Sequence, residues 1–150
     1  DNEISLLQRQ LFITRNTAIN ENSFVTLCPL NNKNECHNQW KDMLSVFTDL
    51  NNNKIYEHDL GERIISEKSS VKSGDELQYG KTRTGLTYAP TGHLSGWGQN
   101  ATFKYCPNNH MDKSRGIVIA VSGRIYLTSS GNKSYKDRNR SGRRIICDDR

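Results

Sequence analysis

No run of about 20 apolar residues occurs in the chain, so no segment of it reads as a membrane span. Hydrophobic residues make up only 33% of the 150 positions, and the mean hydropathy is −0.80. The core must therefore be thin and the surface polar. Also missing are CxxC, HxH and HExxH pairs, the GxSxG turn and any Gly-rich phosphate loop. Those absences argue against zinc hydrolases, Ser hydrolases and nucleotide-binding sites. His37, His58, His93 and His110 each stand alone in polar loop sequence. Strand and helix patterns do not alternate, which excludes a βαβ parallel sheet, and no internal repeat is present. We expect neither an enzyme nor a cofactor.

What is present is an even number of cysteines, four, and a modest positive charge of +5. Four cysteines allow three pairings. Cys28–Cys36 and Cys106–Cys147 are the pairs expected, because each joins segments able to form neighbouring strands; a zinc site is the other reading. Two disulfides imply an oxidising compartment. The charge is uneven. Residues 133–150 hold seven basic side chains against three acidic ones, so any surface for an anionic partner lies towards the C-terminus.

A helix is expected over residues 2–20, where Ile4, Leu7 and Leu11 recur at helical spacing and Ala18 joins their face. The opening DNEISLLQRQLF reads as the later part of such a helix, as in a truncated or processed form. Strands follow at residues 24–28, 43–47 and 62–66, with two short ones within 78–88. Thr102-Phe103-Lys104-Tyr105 alternates, and 116–121 turns through Ser122-Gly123 into 124–128. A last strand is expected at 143–147. Residues 69–75 and the Gly-bearing 90–100 read as connections. The fold class is α+β: one helix on one face of antiparallel β-structure, within a single domain spanning 1–150.

Two stretches carry candidate chemistry. Asp49, Asn51, Asn53 and Glu57 stand at positions one, three, five and nine of an EF-hand-like calcium loop. The glycine of position six is replaced by Lys54 and the glutamate of position twelve by Leu60. An Asn/Asp-rich turn, whose side chains bond their own backbone, explains the same residues. In the basic loop, Lys133, Lys136, Arg138, Arg140, Arg143 and Arg144 alternate with Ser, Asn and Gly. Such cations suit phosphate backbones, with Tyr126 and Tyr135 available for stacking. DNA binding of this kind would be sequence-independent and sensitive to salt. A solvated loop that keeps the chain soluble is the alternative. The sequons at Asn100, Asn132 and Asn139 fit chance in Asn/Ser-rich sequence.

Read in order, the pieces resemble one family. The helix is followed by Val25-Thr26-Leu27-Cys28-Pro29, Cys36, Trp40, Val46-Phe47-Thr48-Asp49 with Asn51 and Asn53, and Gly61-Glu62. Tyr88-Ala89-Pro90-Thr91-Gly92, then 101–106, then 116–122 with Gly123-Arg124 continue the match. The set is similar to the GspH/FimT class of type IV pilin-like proteins, which includes FimU. The resemblance implies a small pilin head whose helix continues an apolar, membrane-anchored segment. It further implies a minor pilin of a type IV pilus, acting in assembly near the fibre tip with other minor and major pilins. Before assembly it would sit in the inner membrane and periplasm of a bacterium, and afterwards in the fibre at the cell surface. Other members imply a pseudopilin of type II secretion, or a DNA receptor for natural transformation that uses a GRxR motif. Here Gly123-Arg124-Ile125-Tyr126 and Gly142-Arg143-Arg144-Ile145 each depart from that motif at the last place. By that resemblance Arg124 joins the basic-loop residues as a DNA-binding candidate.

Overall fold

The computed structural model describes residues 2–80, 83–96, 100–108 and 114–127. Helix α1 spans Asn2–Glu21. Of its buried side chains, Ile4, Leu7, Leu11, Thr14 and Ala18 repeat at intervals of three and four and so form one stripe, with Gln10 buried at its edge. Thr14 is accommodated because its Oγ1 donates to the Gln10 carbonyl at 2.6 Å. The helix ends where Asn22 turns left-handed at φ 53°. There Asn22 N donates to the Ile19 carbonyl and Ser23 N to that of Ala18, which together form a Schellman cap.

Nine strands follow among the described residues. The first sheet has the order β3-β2-β1-β5-β6, from β1 (Val25–Pro29), β2 (Leu44–Thr48), β3 (Ile64–Lys68), β5 (Leu86–Tyr88) and β6 (Leu94–Ser95). The second is β4-β7-β8-β9, from β4 (Glu76–Gln78), β7 (Ala101–Cys106), β8 (Arg115–Ile119) and β9 (Ile125–Leu127). All pairings are antiparallel. The α+β expectation holds, with the β-structure divided into two sheets. The two-residue strand β6 lies within the stretch expected to be only a connection. The strand expected at 143–147 lies outside the described residues.

Strands β1 and β2 are buried at every position. Their register places Leu27 beside Val46 and Leu86, and Val25 beside Thr48 and Tyr88, on one face. That mostly apolar set joins Leu7, Leu11 and Ala18 in the core. The opposite face carries Thr26, Cys28, Ser45, Phe47 and Thr87. It is covered by the connection between β1 and β2 and by the loop after β2: Cys28 bonds Cys36, and Tyr56 packs edge-on to Phe47. Trp40, Tyr79 and Phe103 form an aromatic group beneath the second sheet, with ring centroids 4.4 to 5.2 Å apart. Among the described residues no helix is long and apolar enough to cross a membrane.

Candidate functional site

The loop after β2 is built around two buried carboxylates. Asp49 Oδ1 accepts from Asn53 N at 3.1 Å. Its Oδ2 accepts from Lys54 N at 2.9 Å and Thr26 Oγ1 at 2.8 Å. Glu62 reaches back across the loop: Oε1 accepts from Glu57 N at 2.7 Å and Oε2 from Leu50 N at 2.8 Å. Asn51 and Asn53 direct their amide nitrogens at Glu57 Oε1. Both oxygens of Asp49, Asn53 Oδ1 and Glu57 Oε1, all within the candidate calcium set, thus accept from N–H and O–H donors of the protein itself. The arrangement is an Asx-type turn, in which Lys54 holds the left-handed φ of 61°. Sequence reading took Glu62 only as part of the family pattern Gly61-Glu62, and the structure shows it as a buried carboxylate that closes the loop. Burial pushes its carboxyl above the ordinary range, opposed by its bonds to Glu57 and Leu50.

Cys28 and Cys36 form a disulfide, and Leu30 bridges to Cys36 at the neck of the loop they close. Cys106 is also disulfide-bonded; its expected partner, Cys147, lies outside the described residues. So do Lys133, Lys136, Arg138, Arg140, Arg143 and Arg144. Arg124 is described, and its side chain is exposed.

The residue before it has a structural task. Gly123, at φ 95°, lies so close to Gly92 that an added Cβ would stand 1.8 Å from the Gly92 carbonyl oxygen. Arg15 of α1 donates from Nε to that same oxygen at 3.0 Å and from Nη2 to the Ser122 carbonyl at 3.4 Å. Tyr88 donates its hydroxyl to the Gly123 carbonyl at 2.9 Å. Leu94 N donates to Val121 O at 3.0 Å. Helix, first sheet and β8–β9 turn are locked together at this point. Burial raises the Tyr88 phenol well above its usual range, so it remains a donor.

Apolar side chains of α1 also stand outside the buried stripe. Phe12 is 44% exposed and Ile19 46%, with Leu6 at 38%. Phe12 and Ile19 lie one heptad apart, within about 20° of each other around the axis. They fall off the buried stripe, and that offset is the signal by which the sequence could have disclosed a second apolar face.

One helix laid over two small antiparallel sheets defines a pilin-type head. The family model described as "Type II transport protein GspH" matches residues 3–123, and the chain belongs to this family of type IV minor pilins and pseudopilins. The structure is similar to the type IV minor pilin FimU of Pseudomonas aeruginosa strain PAO1. In one crystal form the TM-score is 0.66 at 21% identity, covering 89% of this chain and 96% of FimU; in another it is 0.63 at 20%, covering 87% and 98%. It is also similar to EpsH, the minor pseudopilin of the Vibrio cholerae Type 2 Secretion System, with TM-score 0.57, 14% identity, and coverage of 87% and 98%. At these identities the likeness is one of fold. No curated protein sequence matches the chain.

Proposed function

We propose that the chain is a minor pilin head acting in assembly of a type IV pilus, with the outer face of α1 docking on neighbouring pilins. The observation that carries this reading is the half-exposed pair Phe12 and Ile19, on the flank of a helix whose apolar stripe is sealed in the core. Exposed apolar side chains grouped on one element mark contact surfaces. The type IV reading is supported by the likeness to FimU, and the pseudopilin reading by the likeness to EpsH. Exchanging Phe12 and Ile19 for Gln in the full-length protein should sharply lower fibre number while leaving the melting temperature of the isolated head unchanged. Normal piliation in that variant would overturn the docking role. Lost protein secretion with intact pili would move the assignment to type II secretion. The reading also places the protein in the inner membrane before assembly, so a prepilin cleavage site and about 20 apolar residues should precede Asp1 in the reading frame.

A second reading, a pilus-borne DNA receptor, is supported by the seven-to-three excess of basic residues in 133–150. Lys133, Lys136, Arg138, Arg140, Arg143 and Arg144 would meet phosphates, with Arg124 alongside. Replacing Arg138, Arg140, Arg143 and Arg144 with Gln should abolish a duplex-DNA gel shift at low salt. Failure of the unsubstituted protein to shift DNA would exclude the receptor.

A further inference from the structure

Strands β4 and β7 carry a cleft of about 310 Å³ that neither function uses. Its lining includes Gln78, Tyr79, Arg83, Asn100, Thr102 and Lys104, and among the described residues no carboxylate contributes to it. Gln78 stands opposite Lys104 in the β4–β7 register, and Thr102 follows two residues along on the same face.

Arg83 is fixed in place. Its stem lies over Gly80, where an added Cβ would stand 3.3 Å from Arg83 Cγ. Its guanidinium lies 5.2 Å above the Tyr79 ring and donates from Nη1 to the Tyr79 hydroxyl at 3.3 Å. Its carbonyl accepts from Trp40 Nε1 at 2.8 Å. The ring below is itself stacked on Phe103 at 4.4 Å. Among the described residues one guanidinium edge is occupied, and the rest of the fork is open to an oxyanion. Among the described residues Lys104 forms no ion pair, so it adds a second uncompensated cation. Asn100 uses Oδ1 to accept from Val121 N at 3.2 Å, which leaves its amide N–H groups as donors. The Thr102 hydroxyl lines the same cleft.

We propose that this cleft binds a small hydroxylated anion, a monosaccharide unit bearing a carboxylate or phosphate. Arg83 and Lys104 supply the counter-charge, and Gln78, Asn100 and Thr102 meet hydroxyl groups. The volume is at the lower end of small-molecule sites, about 300–1,000 Å³, and suits one sugar unit. A free sugar acid and the end of an acidic glycan present the same chemistry.

The test is an amide-resonance titration of the folded head with glucuronate, glucose 6-phosphate and a uronate-terminated oligosaccharide, with glucose and inorganic phosphate as comparisons. Saturable shifts at Gly80, Thr102 and Lys104 are expected with the acidic sugars. Affinity should fall about tenfold in Arg83→Gln and in Lys104→Gln, the loss of one charge-assisted bond. Lys104 lies on a half-buried strand face, so its variant reports even if Arg83→Gln disturbs the packing over Tyr79. Tighter binding of the oligosaccharide than of glucuronate would place the ligand on a glycan, and the reverse would place it free. Absence of saturable shifts, equal binding of glucose, phosphate binding as tight as glucose 6-phosphate, or full affinity in Lys104→Gln would each overturn the proposal.

Discussion

Replacing Gly123 with alanine would put a methyl carbon 1.8 Å from the Gly92 carbonyl oxygen, at a backbone φ of +95°. Two costs then combine. The left-handed conformation is unfavourable for an L-residue by about 1–2 kcal/mol. The clash cannot be relieved by a side-chain rotation, because the opposing atom is backbone. Gly92 must move, and with it the oxygen that receives Arg15 Nε at 3.0 Å, a charge-assisted bond of about 1.5–3 kcal/mol. The Tyr88 bond to the Gly123 carbonyl is strained by the same shift. A loss of about 3–5 kcal/mol is expected, a large share of the 5–15 kcal/mol that typically holds a domain together. The comparison is Gly61→Ala, where φ is +87° and nothing lies within 4 Å of the added carbon. It should cost only the conformational part, about 1–2 kcal/mol. Urea unfolding followed by tryptophan fluorescence measures both. Agreement of the two variants within about 1 kcal/mol would refute the close-approach argument, because it would leave no cost beyond the shared conformational one.

Four further perturbations test the loop after β2 and its surroundings. Cys28→Ser with Cys36→Ser opens a loop of sequence separation 8; urea unfolding should show a loss of about 2–3 kcal/mol, the chain-entropy value for so short a loop. Asp49→Asn turns an amide N–H₂ towards donors now bonded to a carboxylate, and should cost about 2–4 kcal/mol by the same measurement. Calcium added to the unsubstituted protein should leave the melting temperature unchanged, whereas a rise that saturates with calcium would show that the loop opens to bind it. Glu62 titrates above its unfolded value because it is buried. Its folded form therefore binds a proton more readily than its unfolded form, and its contribution to stability grows as pH falls from the raised folded value towards 4.5. The stability of the protein minus that of Glu62→Gln should rise as pH falls over that interval, and a difference that falls would contradict the desolvated carboxyl.

The parts of the fold legible in the sequence are those set by local periodicity. Ile4, Leu7, Leu11 and Ala18 mark the helix stripe because helical geometry alone brings them together. Thr102-Phe103-Lys104-Tyr105 marks β7 because one face is buried and the other is not. Periodicity cannot report which strands pair. The β1–β5 and β4–β7 ladders join strands distant in sequence, so the division into two sheets was not visible. Strand β6 escaped notice because two residues carry no alternation.

The site residues divide in the same way. Asp49, Asn51, Asn53 and Glu57 drew attention through their spacing, yet spacing does not distinguish an oxygen that meets a cation from one that meets an N–H. The turn reading draws its support from Asn53 N and Lys54 N, which donate to Asp49 and whose positions a chain of letters does not contain. Gly123-Arg124 poses the same ambiguity. The pair reads as the first half of an arginine motif, but Gly92, Arg15 and Tyr88 explain the glycine without any ligand. Only the exposed Arg124 remains available to a partner. Any DNA-binding role must therefore be tested by substitution at Arg124 and the later arginines, because a change at Gly123 would alter stability first.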